Sequence, residues 1–245
     1  MTENKYILFI VEGNSDHAFY GEYFNELISN HNLGLEIKVT GGDILTKKAT
    51  NPVNLVKNAI HEEIKKSKLQ VTDFVQVIQI CDIDGSFFSE EQFKVDDRKE
   101  YYDKTYLYSP FGEPKIYVRD EESKVLLLNR WKTKRNNQII LSNQNSINMG
   151  SNITLPYSLF YVSLFLEHLL KNDPLIDPLD KRDCIEDYLD SNSIDDFIRL
   201  LHSRKYSDDF KNSWEILEQK KGVYTSSSNL NILVEDLQKN KIFNN

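Results

Sequence analysis

The sequence predicts an α/β fold: a mostly parallel sheet flanked by helices, with an inserted segment and a helical C-terminal region. Three observations predict it. Segments 6–11 (YILFIV), 35–40 (LEIKVT) and 74–81 (FVQVIQIC) are rich in β-branched and aromatic residues, as strands covered by helices are. The two stretches between them carry apolar residues at helical spacing. The first and third of these strands end abruptly in acidic residues and glycine. A β-α-β-α-β order makes a parallel sheet with right-handed crossovers.

Each element has its own signal. After the first strand comes Glu12-Gly13-Asn14-Ser15-Asp16, where Asn14 or Ser15 suits a helix cap. The helix that follows carries Phe19, Tyr20, Tyr23, Phe24, Leu27 and Ile28. Gly41-Gly42-Asp43 turns the chain after the second strand. A helix over 52–68 has Val53, Leu55, Val56, Ile60 and Ile64 as its apolar stripe. The third strand runs into Asp82-Ile83-Asp84-Gly85.

Beyond Gly85 the pattern loosens. Residues 82–113 hold nine acidic and four basic side chains, and 115–135 hold seven basic and three acidic. Residues 116–118, 125–128 and 138–141 read as short strands, and 143–154 as a polar loop. Residues 155–170 read as a buried helix, too short to span the ~20 residues of a bilayer crossing. Short amphipathic helices are expected around Ile185–Tyr188–Leu189, around Phe197–Leu200–Leu201, and over 210–217 and 230–237. The expected division is a catalytic unit over 1–170, with an insertion at about 86–135, and a helical region over 171–245.

Composition excludes several classes. The chain has 245 residues, 30 Lys+Arg against 38 Asp+Glu, and a net charge of −8. A generally basic nucleic-acid binder is therefore not expected; a nuclease is not excluded by this, since metal-binding active sites are themselves acidic. Cys81 and Cys184 are too few for a disulfide framework or a four-cysteine zinc site. The five histidines form no HxxxH or HxH pattern. The N-terminal stretch lacks a basic segment before its short apolar run, so no secretory signal is expected. The expectation is a cytoplasmic protein with no membrane partner.

Carboxylates are the candidate chemistry. In open α/β sheets ligands bind beyond the carboxyl ends of the strands. Glu12 lies past the first strand, Asp82 and Asp84 past the third. Residues two apart on extended chain face one side, and Asp16 is one helical turn after Glu12. Converging carboxylates repel one another unless a cation is present, and hard oxygen donors suit Mg²⁺ or Mn²⁺. Glu167, on an apolar segment, is a further candidate because burying a carboxylate is costly. The run Arg130, Trp131, Lys132, Lys134, Arg135 mixes cations with an aromatic ring and is a candidate nucleic-acid contact, or else a solvated loop or edge strand. His168 and Cys81 read as structural.

The segment VEGNSD (11–16) after one hydrophobic strand, with CDIDG (81–85) ending another about 70 residues later, resembles the Toprim domain. That domain occurs in topoisomerases, in DnaG-type primases, and in OLD-type and RloB-type nucleases. The resemblance covers about residues 5–170 and is specific at those two motifs; LFLEHLL (164–170) is loosely similar to a helix of the RloB and OLD nucleases. It implies metal-dependent phosphodiester hydrolysis of DNA or RNA in anti-phage defence. Glu12 would be a ligand or general acid/base, Asp82 and Asp84 ligands, and Asp16 and Glu167 further ligands. Asp43 would stand behind them. The implied cofactor is Mg²⁺ or Mn²⁺. The implied partners are nucleic acid and a protein such as an ATPase or defence-complex subunit, and a homo-oligomer is compatible. The chain has no GxxxxGK[ST] motif of its own. The 50-residue insertion after Gly85 departs from the pattern and leaves the subfamily and the substrate open.

Two other readings are weighed. Asp82-Ile83-Asp84-Gly85-Ser86 also resembles the first motif of haloacid-dehalogenase phosphatases, with Asp82 as nucleophile and Asp84 as acid/base. Against it, that motif normally follows the first strand of its domain. The third reading is a non-catalytic sensor or partner subunit that docks through its acidic C-terminal helices.

Overall fold

A computed structural model describes residues 5–96, 106–109, 113–177, 179–219 and 224–239. The chain opens with β1 (Lys5–Val11), α1 (Asn14–Asn30), β2 (Leu35–Gly41), α2 (Val53–Ser67) and β3 (Phe74–Asp82). These match the elements read from the sequence. The cap of α1 differs: the N-cap is Gly13, and the Asp16 side chain accepts from the Gly13 N–H at 2.8 Å. An acid in the first turn satisfies an orphan donor and complements the helix dipole.

The next stretch corrects the sequence reading. Short strands β4 (Phe93–Val95), β5 (Tyr106–Tyr108) and β6 (Ile116–Val118) form a small separate sheet. Residues 125–128 and 138–141 are not strands. They belong to one long helix, α3 (Glu121–Ser142), capped by Asp120, whose carboxylate accepts from the Ser123 N–H. The polar loop at 143–154 contains β7 (Ser146–Gly150) and the start of β8 (Ile153–Ser163). Most of the expected buried helix over 155–170 is therefore β8, and only its end is helical, as α4 (Leu166–Lys171). A continuous apolar run fits a buried strand as well as a buried helix. The β-formers Tyr157, Tyr161 and Val162 favour the strand here. The remainder is α5 (Lys181–Ser191), α6 (Ile194–Arg204), α7 (Phe210–Gln219), β9 (Ser227–Ser228) and α8 (Leu230–Gln238).

The main sheet runs β2-β1-β3-β8-β7, with β9 also on β8. β2, β1, β3 and β8 are mutually parallel; β7 and β9 are antiparallel to β8. Alternation along the strands feeds two cores. Ile7, Phe9, Val11, Ile78, Ile80, Phe160 and Val162 pack against α1, α5, α6 and α8. Leu8, Ile10, Val77, Cys81, Leu159 and Tyr161 pack against α2, α7 and the end of α3. A third cluster joins the small sheet to Leu127 and Trp131 of α3 and to Phe165. Both cysteines are free and buried. No described helix is long and apolar enough to cross a membrane.

This topology brings the carboxyl ends of four parallel strands to one edge. α3 lies against that edge with Trp131, Lys134, Asn137 and Gln138 buried. Asn137 Nδ2 donates to the carbonyls of Leu45 and Lys47, and Gln138 Nε2 to the carbonyl of Asp82. Gln138 Oε1 in turn accepts from Ser86 Oγ.

Candidate functional site

A cavity of about 340 Å³ opens at this edge. Six carboxylates line it: Glu12, Asp16, Asp43, Asp82, Asp84 and Glu167. Every sequence-derived carboxylate candidate is there. Asp82 arrives as the last residue of β3. Asp84 arrives differently from the extended-chain expectation, since its backbone turns left-handed with φ +49°, a conformation that Asp tolerates better than most residues. The turn is held by the Asp84 N–H donating to the Leu164 carbonyl at 2.7 Å.

The basic run is the middle of α3 rather than a loop or an edge strand. Lys134 is completely buried, and its ammonium donates to Glu12 Oε2 at 2.8 Å and Asp84 Oδ2 at 2.6 Å. Trp131 is buried beside it, packed on Gly85 and on Phe93 and Tyr106. Arg130 reaches Asp43 at 3.1 Å, with more than half of its side chain exposed. Lys132 is exposed and the Arg135 guanidinium lies over the Phe87 ring at 5.1 Å, and neither lines the carboxylate cavity. Sequence reasoning missed Lys181, the first residue of α5. Its ammonium donates to buried Glu167 at 3.0 Å and lies 4.3 Å from the Phe165 ring centroid. Nothing in the local sequence marks it, because its position depends on how α5 docks.

Charge is unbalanced: six carboxylates face three cations, Lys134, Arg130 and Lys181. Burial, with repulsion from Asp84 and Asp43, pushes Glu12 up to about 8 in spite of Lys134. Burial likewise raises Asp16 to about 6, with Glu167 adding to it and the Gly13 N–H opposing. Asp82 is raised by burial and by Asp16, Glu12 and Asp84. Burial works against the charge of Lys134, but Asp84, Glu12 and Asp82 outweigh it and its pKa is raised. The lysine therefore stays charged while the carboxylates around it favour protons or another cation.

The donor set fits a hard divalent ion. All donors are carboxylate oxygens, and Glu12 Oε1 is buried with no hydrogen-bond partner. A bare buried acceptor of this kind carries a desolvation penalty that a ligand relieves. The edge carboxylates are not drawn into a tight triad, since the Lys134 ammonium stands between Glu12 and Asp84. Among the described residues, the one group of three or more His, Cys, Asp or Glu donors all within 4.8 Å of one another lies elsewhere. It is His202, Asp208 and Glu235, on α6, the α6–α7 link and α8. Its carboxylates already bind Lys205 and Lys239 at 2.5 Å each. Sequence spacing gave no sign of that group.

No family model, curated protein or solved structure matches the chain.

Proposed function

We propose that the chain is a Toprim-like, metal-dependent nuclease that hydrolyses phosphodiester bonds of DNA or RNA, in keeping with a role in anti-phage defence. One observation carries the reading. Glu12, Asp82 and Asp84, the residues of the two Toprim-like motifs, meet at the carboxyl edge of a parallel sheet, around a buried lysine, with an excess of buried negative charge. Structural ion pairs do not need that excess; a cation-dependent site does.

Glu12, Asp82 and Asp84 would hold Mg²⁺ or Mn²⁺, with Asp16 and Glu167 as further oxygen donors. The bound ion would polarise a phosphate oxygen and lower the pKa of a water. Lys134, enclosed behind Glu12 and Asp84, would add a fixed positive charge near the reacting phosphate, in a place where water does not screen it. Glu12, directly past β1 on the cavity wall, would act as an oxygen ligand to that ion or, in place of that role, as the general acid/base. The walls formed by Tyr106 and Trp131 keep one side of the cavity apolar.

The test is incubation of the protein with supercoiled plasmid, single-stranded DNA and a transfer-RNA pool, in Mg²⁺, Mn²⁺ or EDTA. A Glu12→Ala/Asp82→Ala double variant runs beside it. Metal-dependent cutting by the wild type and none by the variant is expected. Cutting that persists in EDTA, or in the variant, overturns the reading. Hydrolysis of p-nitrophenyl phosphate with no nucleic acid cut moves the assignment to a phosphatase. Silence in both assays moves it to a binding subunit.

A further inference from the structure

We propose that Arg130 and Lys181 hold the phosphates on either side of the scissile one, so that the substrate is a strand laid across the sheet edge from β2 towards β8. This rests on the nuclease reading and names the substrate path within that same site. The carboxylates follow the strand order. Asp43 lies two residues past β2, Glu12 directly past β1, Asp82 ends β3, and Glu167 lies four residues past the end of β8. Three cations stand along the row in the same order: Arg130 on Asp43 at 3.1 Å, Lys134 on Glu12 and on Asp84 beside Asp82, and Lys181 on Glu167 at 3.0 Å. Neighbouring strands lie about 4.8 Å apart, so the row spans roughly 14 Å. That is room for a scissile phosphate at the centre and a phosphate towards each end.

The three cations differ in one respect that assigns their roles. The Lys134 side chain is wholly enclosed, whereas Arg130 is 58% and Lys181 33% exposed. The outer two can exchange a carboxylate for a phosphate that arrives from solvent; the central one is fixed. A chain with a net charge of −8 offers little general attraction for a polyanion, so local cations beside the cavity must supply it. Both outer cations line the carboxylate cavity itself. A substrate that lacks a phosphate on one side loses one of the two holds. Internal bonds are therefore cut in preference to terminal ones, and a mononucleotide ester is a poor substrate.

The experiment uses Arg130→Ala, Lys181→Ala and Lys181→Arg on the full chain. Two quantities are measured: cleavage kinetics on a fluorescein-labelled 12-mer of whichever nucleic acid the wild type cuts, and its binding in EDTA as a function of salt. Each alanine variant is expected to weaken binding about three- to tenfold near 0.1 M salt. Each is also expected to lower the slope of log affinity against log salt by about one. KM rises more than kcat falls, and Lys181→Arg restores most of the binding. Arg130→Ala is safe for folding because its side chain is largely exposed, so the proposal stays testable if Lys181→Ala destabilises the chain. Unchanged KM and salt slope in Arg130→Ala, or preferred release of terminal nucleotides, overturns the strand path while cutting by the wild type still stands. A wild type that neither binds nor cuts any pool overturns the nuclease reading and the path with it.

Discussion

The chain gathers carboxylates in two places, and physics treats them in opposite ways. At the sheet edge, burial pushes Glu12 to about 8 and Asp16 to about 6. In the C-terminal helices, Asp208 and Glu235 are lowered, chiefly by their hydrogen bonds to Lys205 and Lys239. The second group is geometrically the tighter, with all donors within 4.8 Å, yet each carboxylate already has its own ammonium in solvent. The first is looser but carries more buried negative charge than its three cations balance. Closeness of acids alone does not mark a site; uncompensated burial does.

The sharpest way to break this contrast is to remove the buried cation. Lys134→Met leaves Glu12 and Asp84 facing one another with no counter-charge. Removing one partner of a buried pair costs about 3–5 kcal/mol, so thermal unfolding in EDTA is expected to drop by about 10 °C. Millimolar Mg²⁺ is expected to return part of that loss, and nuclease activity to stay absent. A variant as stable as the wild type in EDTA would show that the carboxylates are not held under strain by their charge.

Next in size is the contact that sets α3 against the Asp82–Gly85 turn. A Cβ at Gly85 falls 2.1 Å from the Trp131 ring, which well-packed neighbours cannot absorb. Gly85→Ala is expected to cost about 1–3 kcal/mol and to lower activity by moving Lys134, three residues after Trp131 on the same face. Thermal unfolding and cleavage rates check both parts. Full activity in a destabilised variant would separate the packing of Trp131 from the placement of Lys134.

The limits of the sequence reading follow from the same helix. The strands β1, β2 and β3 were legible because their apolar runs end in acid and glycine, and the motif carboxylates were legible with them. α3 was not, because its buried face is half polar and part of its exposed face is apolar. Its enclosed face mixes Lys134, Asn137 and Gln138 with Leu127, Trp131 and Leu141, while Val125, Leu126 and Ile140 are 54%, 64% and 43% exposed. Apolar periodicity finds helices that bury apolar residues, and this one buries polar groups against strand ends. Two short apolar patches then look like strands. β8 was misread for another reason: a strand covered on both faces has no alternation to show. Lys181 was invisible because its partner Glu167 is met through tertiary docking. Asp84 reached the cavity, though by a left-handed turn and not by the extended geometry expected of it.

A smaller effect sharpens the contrast through pH. Glu12 has a folded pKa near 8, above its ordinary value of 4.5, so in this range the folded state holds more protons than the unfolded one. Its stabilising share is complete below the unfolded value and is lost as pH rises through the folded value. His168, which burial lowers to about 4, acts in the opposite direction, but only between there and its ordinary 6.5. Asp16, raised to about 6, loses most of its proton by about one pH unit above that. Asp82, also raised by burial, acts in the same direction as Glu12, so the share of Glu12 between pH 6.5 and 8.5 is read from the difference between the wild type and Glu12→Gln. In EDTA the melting temperature is expected to fall by a few degrees across that interval, and Glu12→Gln to flatten the profile. Parallel profiles for the two proteins would remove Glu12 from the account.

The smallest effect belongs to the other cluster, and it is the control for the whole comparison. His202, Asp208 and Glu235 are partly or fully exposed, and their ion pairs stand in water, where such pairs contribute little. His202→Ala, or Asp208→Asn, is expected to shift the melting temperature by about 1 °C, with no change in nuclease activity. On the proposal that the ion binds at the sheet edge, Mg²⁺ is expected to raise the melting temperature of either variant as much as that of the wild type. If instead either substitution abolished the Mg²⁺-dependent rise, the tight solvent-exposed triad would be the metal centre. The excess buried charge around Lys134 would then be a structural network, and the order of the two regions would be reversed.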